Sequence, residues 1–118
     1  MLTRMEAATQ IKTHHNASKN RFEIHDADTV IGRADYVVAG DGQRVFFHTE
    51  VDEAYKGQGL AQRLAEAALG DTVREGGRIV PVCPFIVRYV AKHAEYAEHV
   101  DEATPAHRAA VRAAGGEA

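Results

Sequence analysis

The run His48-Thr49-Glu50-Val51-Asp52-Glu53-Ala54-Tyr55-Lys56-Gly57-Gln58-Gly59-Leu60-Ala61 decides the fold. On its left, Arg44-Val45-Phe46-Phe47-His48-Thr49-Glu50-Val51 is rich in β-formers and reads as a strand. On its right the apolar period lengthens from two to 3.6. Leu60, Ala61, Leu64, Ala65, Ala68, Leu69 and Val73 share one helical stripe, while Gln62, Arg63, Glu66, Arg74 and Glu75 take the other face. A strand therefore runs through a loop with two glycines into a helix.

Working outward, Gly76-Gly77 ends the helix as glycine does at C′, and Arg78 to Val82 is a short buried strand. Strand, helix, strand in that order implies that the last strand runs parallel to the one before the helix. Upstream, Phe22-Glu23-Ile24-His25 alternates and Thr29 to Val38 is rich in β-formers. Asp26-Ala27-Asp28 and Gly40-Asp41-Gly42 supply the turns of an antiparallel meander. Downstream, Pro84 to His93 reads as a second helix with Phe85, Ile86, Tyr89 and Val90 inward. The expected fold is α+β: a mainly antiparallel sheet, one parallel β-α-β unit and flanking helices. Residues 1–20 read as a loose arm with one strand near Gln10 to Thr13, residues 21–100 as the domain, and 101–118 as an Ala-rich helix or tail fraying from Gly115.

Composition narrows the function classes. The 118 residues hold one domain. Lys plus Arg number 14 against 17 Asp plus Glu, a net charge of −3 that gives no support to a nucleic-acid binder. The most apolar stretch, Ile79 to Val87, is interrupted by Pro81 and Pro84 and falls short of the ~20 residues of a membrane span. The N-terminus carries Arg4, Glu6 and Lys12 with no apolar run, unlike a secretory signal. Cys83 is the only cysteine, so no internal disulfide forms and a reducing, cytoplasmic setting is expected. None of the seven histidines has metal-site spacing, so no metal is expected.

A glycine turn entering a helix presents unpaired backbone N–H groups and a favourable dipole, the setting of a phosphate cradle. The alternative is a tight turn that binds nothing. A dinucleotide fingerprint fails because Gln62 stands where its third small residue belongs, and because Val82, at the end of the next strand, is not acidic. A Walker A loop fails for lack of Gly-Lys-Ser/Thr. Lys56, Gly59 and Ala61 do fill Arg/Gln-x-x-Gly-x-Gly/Ala, the pyrophosphate loop of the GNAT acetyltransferases, with Lys in the first place.

Together with Val80-Pro81-Val82-Cys83-Pro84-Phe85-Ile86, Tyr89 and His93-Ala94-Glu95-Tyr96, the stretch from His48 to Ala61 resembles the small YjdJ-type GNAT-like family. The likeness spans roughly Arg21 to Val100, with Ala94 where the family usually has proline. It implies a minimal GNAT-like fold that binds acetyl-CoA and transfers acetyl to an amine, such as a lysine or a polyamine-like molecule. It further implies a fourth strand splayed from the fifth, pantetheine along Thr49 to Val51, and pyrophosphate on the amides of Gln58, Gly59, Leu60 and Ala61. Tyr55, Lys56 and Gly57 would flank the pyrophosphate.

Four side chains are candidates for the chemistry. Cys83 precedes Pro84, which places it at a helix N-cap as nucleophile or as a polar lining of the acetyl site; a small buried apolar role is the alternative. His48 and Glu50 share a strand face and could serve as general base, or be a structural histidine and a surface carboxylate. Tyr89 is either acid to the CoA sulfur or core packing. Two further functions stay open: a non-catalytic CoA or acyl-CoA-binding module, and a small interaction domain. A monomer or weak dimer is expected.

Overall fold

The computed structural model describes residues 10–116. Its strands are β1 (Ile11–Asn16), β2 (Arg21–Asp26), β3 (Thr29–Ala39), β4 (Gln43–Val51) and β5 (Arg78–Pro81). Its helices are α1 (Leu60–Arg74), α2 (Pro84–Lys92) and α3 (Pro105–Ala113), with 3-10 turns at Glu53–Tyr55 and Ala94–His99 among the connections. The sheet order is β1-β2-β3-β4-β5, antiparallel except for the parallel β4–β5 pair. This is the α+β arrangement expected, with its β-α-β unit at β4-α1-β5. No helix among the described residues is long and apolar enough to cross a membrane.

The N-terminal expectation needs correcting. The strand near Gln10–Thr13 runs through Asn16 and pairs with β2 along its whole length, so residues 11–16 form a sheet edge and not a loose arm. Residues 1–9 of that segment, and 117–118 of the C-terminal one, lie outside the described residues.

Both helices of the β4-to-α2 segment pack on one face of the sheet. Phe22, Ile24, Ala34, Tyr36 and Phe46 from the strands meet Leu64, Ala65, Ala68 and Leu69 of α1 and Ile86 of α2. α1 stops in a Schellman motif: Gly77 N–H donates to Thr72 O at 2.8 Å and Gly76 N–H to Val73 O at 3.0 Å. α3 covers part of the opposite face, where Val111 joins Val45 and Val80 and packs near Val37 and Phe47.

The Ala-rich C-terminal segment is thus a docked helix. Thr104 and His107 form a capping box, and His107 Nε2 reaches Gln43 Oε1 at 2.9 Å. Arg78 adds a charged clamp, its Nη2 lying 2.8 Å from Asp101 Oδ1.

The rest of the second face carries polar rows. Cross-strand partners share a face, so register alone aligns His14, Glu23, Arg33 and Glu50 in one row and Asn16, Arg21, Asp35 and His48 in the next. Charges of opposite sign stand beside each other between the rows and along them. Arg21 holds Glu23 at 2.6 Å, and Arg33 holds Asp35 at 2.9 Å and Glu50 at 2.7 Å.

Candidate functional site

The loop before α1 is held open by backbone conformation. Gly57 and Gly59 have φ of +84° and +73°, where an L side chain is strained, and a Cβ on either would meet nothing within 4 Å. Gly59 is the N-cap of α1 and offers no side-chain cap. The first amides of α1 therefore have neither an intrahelical partner nor a side-chain cap, which is the setting an anionic phosphate uses. Asp52 caps the preceding turn by accepting from Ala54 N–H at 3.0 Å, and Tyr55 donates to Asp26. Lys56 pairs with Glu53 at 2.7 Å. This loop walls a hollow of about 460 Å³ whose other side is Thr49, Glu50 and Val51 of β4 and Phe85 of α2.

The sheet opens beside that hollow. β4 and β5 pair from Gln43 and Arg78 only as far as Phe46 and Pro81. There the carbonyl of Phe46 accepts from both Val82 N–H and Cys83 N–H, each at 3.0 Å, and the chain turns away into α2. β4 continues to Val51 paired with β3 alone, so its outer edge presents backbone groups without a strand partner. A bulge at Phe47 shifts the register between Asp35 opposite His48 and Tyr36 opposite Phe46.

A second hollow, about 890 Å³, lies across the opening and is lined by Asp35, Phe47, His48, Cys83 and Arg108 among others. Thr49 and Phe85 line both hollows, so the two meet there. Thr49 Oγ1 and Cys83 Sγ stand 3.4 Å apart across the junction.

Cys83 is the N-cap of α2, with Pro84 next and its Sγ accepting from Ile86 N–H at 3.4 Å. It is buried and borders the second hollow, not the glycine-loop one. His48 and Glu50 are joined at 2.9 Å. That hydrogen bond, with Arg33 behind it, holds the Glu50 carboxyl below its ordinary value. His48 faces the second hollow and Glu50 the first.

Among the cofactor candidates, Thr49, Val51, Tyr55, Lys56, Gly57, Gly59, Leu60 and Ala61 border the first hollow, whereas Gln58 does not. Tyr89 borders neither. It is buried, stacks on His93 with ring centroids 3.9 Å apart, and burial, followed by its neighbour Tyr96, pushes its phenol to about 12.

A family model described as GCN5-related N-acetyl-transferase matches residues 21–100. The chain belongs to the GCN5-related N-acetyltransferase family. Members of this family generally bind acetyl-CoA and transfer its acetyl group. Protein NATD1 of Gallus gallus is 31% identical over 105 residues, covering 81% of this chain and 90% of its own. Protein NATD1 of Homo sapiens is 31% identical over 96 residues, covering 75% and 80%. The solution structure of a Staphylococcus aureus protein, described as a candidate GCN5-like N-acetyltransferase, superposes with a TM-score of 0.62 at 19% identity. It covers 84% of this chain and 96% of its own, and it supports the GNAT fold itself.

Within this GNAT fold, sequence reasoning missed Arg33, Asp35, Phe47, Phe85 and Arg108 as lining residues. Phe85 was read only as an inward residue of α2. Arg33 and Asp35 carry a usable signal, since they alternate on the strand preceding His48 and Glu50. Which of those residues they oppose depends on the Phe47 bulge, which no residue pattern announces. Arg108 belongs to the segment read as an Ala-rich helix or tail, with no site assigned to it.

Proposed function

We propose that this protein transfers the acetyl group of acetyl-CoA to a primary amine. The observation that supports this best is the opening of the β4–β5 pair after Phe46 and Pro81, with a glycine-loop hollow and a polar hollow meeting at Thr49 and Phe85. In this reading the pyrophosphate lies on the free amides of the Gly59–Ala61 turn. The pantetheine adds to the unpartnered edge of β4 along Thr49 to Val51. The amine enters from the side of His48 and Asp35.

The amine nitrogen attacks the thioester carbonyl carbon. A C–N bond forms, the C–S bond breaks, the nitrogen gives up a proton and the departing thiolate takes one. An amine with pKa ~10.4 is neutral about once in 2,500 at pH 7, a handicap of roughly 4–5 kcal/mol that the site must lower by desolvation or proton acceptance. His48, linked to Glu50, accepts that proton directly or through water. Unpaired N–H groups at the splayed edge polarise the carbonyl.

Cys83 lines the acetyl site as a polar wall, because its Sγ is already engaged by Ile86 N–H and Thr49. Tyr89, at about 12, is a poor donor to a thiolate whose conjugate thiol has pKa ~8.5. The sulfur therefore takes its proton from solvent.

Two measurements test this reading. Thermal unfolding with CoA and with acetyl-CoA should show stabilisation by both, and no shift at millimolar ligand sinks any CoA-based function. Thiol release against a panel of amines should exceed hydrolysis; stabilisation without turnover identifies a CoA-binding module instead.

A further inference from the structure

The second hollow carries a charge that the acetyl-transfer step does not use. Its carboxylate, Asp35, is already matched by Arg33 at 2.9 Å. Arg108 also borders the hollow, and among the described residues its guanidinium has no ion pair or side-chain hydrogen bond. It stands on an anchored wall. Val111 of the same helix is fully buried, His107 is tied to Gln43, and the chain beyond closes on the bulge residue. A Cβ at Gly116 would come within 2.6 Å of Phe47 Cε2. The wall that α3 supplies lies past residue 100, where the family match ends.

We propose that the acceptor carries a carboxylate near its amine and that Arg108 receives it. This rests on the acetyl-transfer reading and specifies the acceptor class. A polyamine would bring a second positive charge into a lining that already sets Arg33 and Arg108 against Asp35 alone. An amino acid, or a lysine beside an acidic residue, brings the anion that a guanidinium fork is built to hold.

The test uses the full chain and compares ω-amino carboxylic acids with alkylamines of the same length. Capped Lys-Glu and Lys-Gln dipeptides distinguish a protein lysine from a free amino acid. The carboxylate-bearing member of a pair should have a KM about fivefold lower, with kcat nearly equal, the scale of an exposed guanidinium–carboxylate pair. In Arg108→Ala that ratio should fall toward one, and Arg108→Lys should restore part of it. Preference confined to Lys-Glu upholds the proposal for a protein lysine, and preference confined to the free acids upholds it for an amino acid. An equal or reversed preference in the wild type, or a ratio untouched by Arg108→Ala, overturns it.

If no amine is acetylated, the enzyme reading fails by itself. Calorimetric titration of the same acids into wild type and Arg108→Ala then decides the acceptor proposal. Weaker binding to the variant upholds it, and equal or absent binding overturns it.

Discussion

Glu23 stays ionised with only 3% of its surface exposed. Burial alone would raise its carboxyl. Hydrogen bonds from His25, Arg21 and Asn16 outweigh that and hold it at about 2, down from 4.5. A carboxyl depressed on folding stabilises fully above its unfolded value, and the contribution is lost as pH falls from 4.5 through about 2. The loss should approach about 3 kcal/mol, measured as a drop in urea-unfolding free energy over that window. Glu23→Gln should flatten the drop while lowering stability at pH 7.

Cys83 makes a different prediction. Replacing it with Ala removes an N-cap acceptor and should cost about 1 kcal/mol in thermal unfolding, with Ser closer to wild type. Stabilisation by CoA should survive, and so should turnover to within tenfold. Loss of turnover to the hydrolysis background would instead make the thiol the nucleophile.

At the scale of elements, the β4–α1 junction and the Phe47 bulge do most to shape the site. Gly59→Ala places a side chain at φ +73°, which should cost about 1–2 kcal/mol of stability. Its methyl would project into the open space over the loop, so the CoA-induced thermal shift should shrink further than that cost explains. Differential scanning with and without CoA separates the two effects.

The bulge acts through parity. A slip of one residue reverses every side chain beyond it. Had β4 run regularly past Phe46, Asp35 would oppose Phe47, and His48 would oppose Ala34 on the helix-covered face. With the bulge, His48 opposes Asp35 and Glu50 opposes Arg33, leaving Thr49 and Val51 opposite Ala34 and Gly32. The proton-accepting pair thereby shares the face of Asp35 and Arg33, not that of Ala34 and Gly32.

Over the whole molecule, the ligand should act as a brace between parts that otherwise touch little. Past Phe46, Thr49 Oγ1 and Cys83 Sγ link β4 to the start of α2 at 3.4 Å, and a pantetheine arm along the opened edge would add a further tie. At a CoA concentration a hundredfold above its Kd, unfolding should be harder by about 2.7 kcal/mol. For a chain of this size that raises the melting temperature by roughly 10 °C. The pH profile belongs to this scale too, because the free amine is supplied by solution. Glu50 lies below its ordinary value, held there by His48 and Arg33, and is a weak proton acceptor by itself. Because the amine attacks in its neutral form, with His48 taking the proton as the C–N bond forms, kcat/KM should climb by about tenfold per pH unit from 6 to 8, toward the amine's own pKa of ~10.4. A plateau below pH 7 would point to an acceptor group of lower pKa.

The amino-acid sequence by itself determined the meander, the parallel β4-α1-β5 unit, the glycine loop and the N-cap position of Cys83. Each is written in residues near one another in the chain: period two, period 3.6, paired glycines, and a cysteine before proline. Only the tertiary structure decided that His15 and Asn16 extend a sheet edge, that Tyr89 is buried away from both hollows, and that α3 walls the second one. These outcomes depend on long-range pairing. β1 is a strand because β2 offers it a partner, and α3 docks because Val111 finds Val45 and Val80. The facing of His48 and Glu50 stands between the two cases. Period two put them on one face, but the extra residue at Phe47, set by how β4 pairs with β3, chose which face it was.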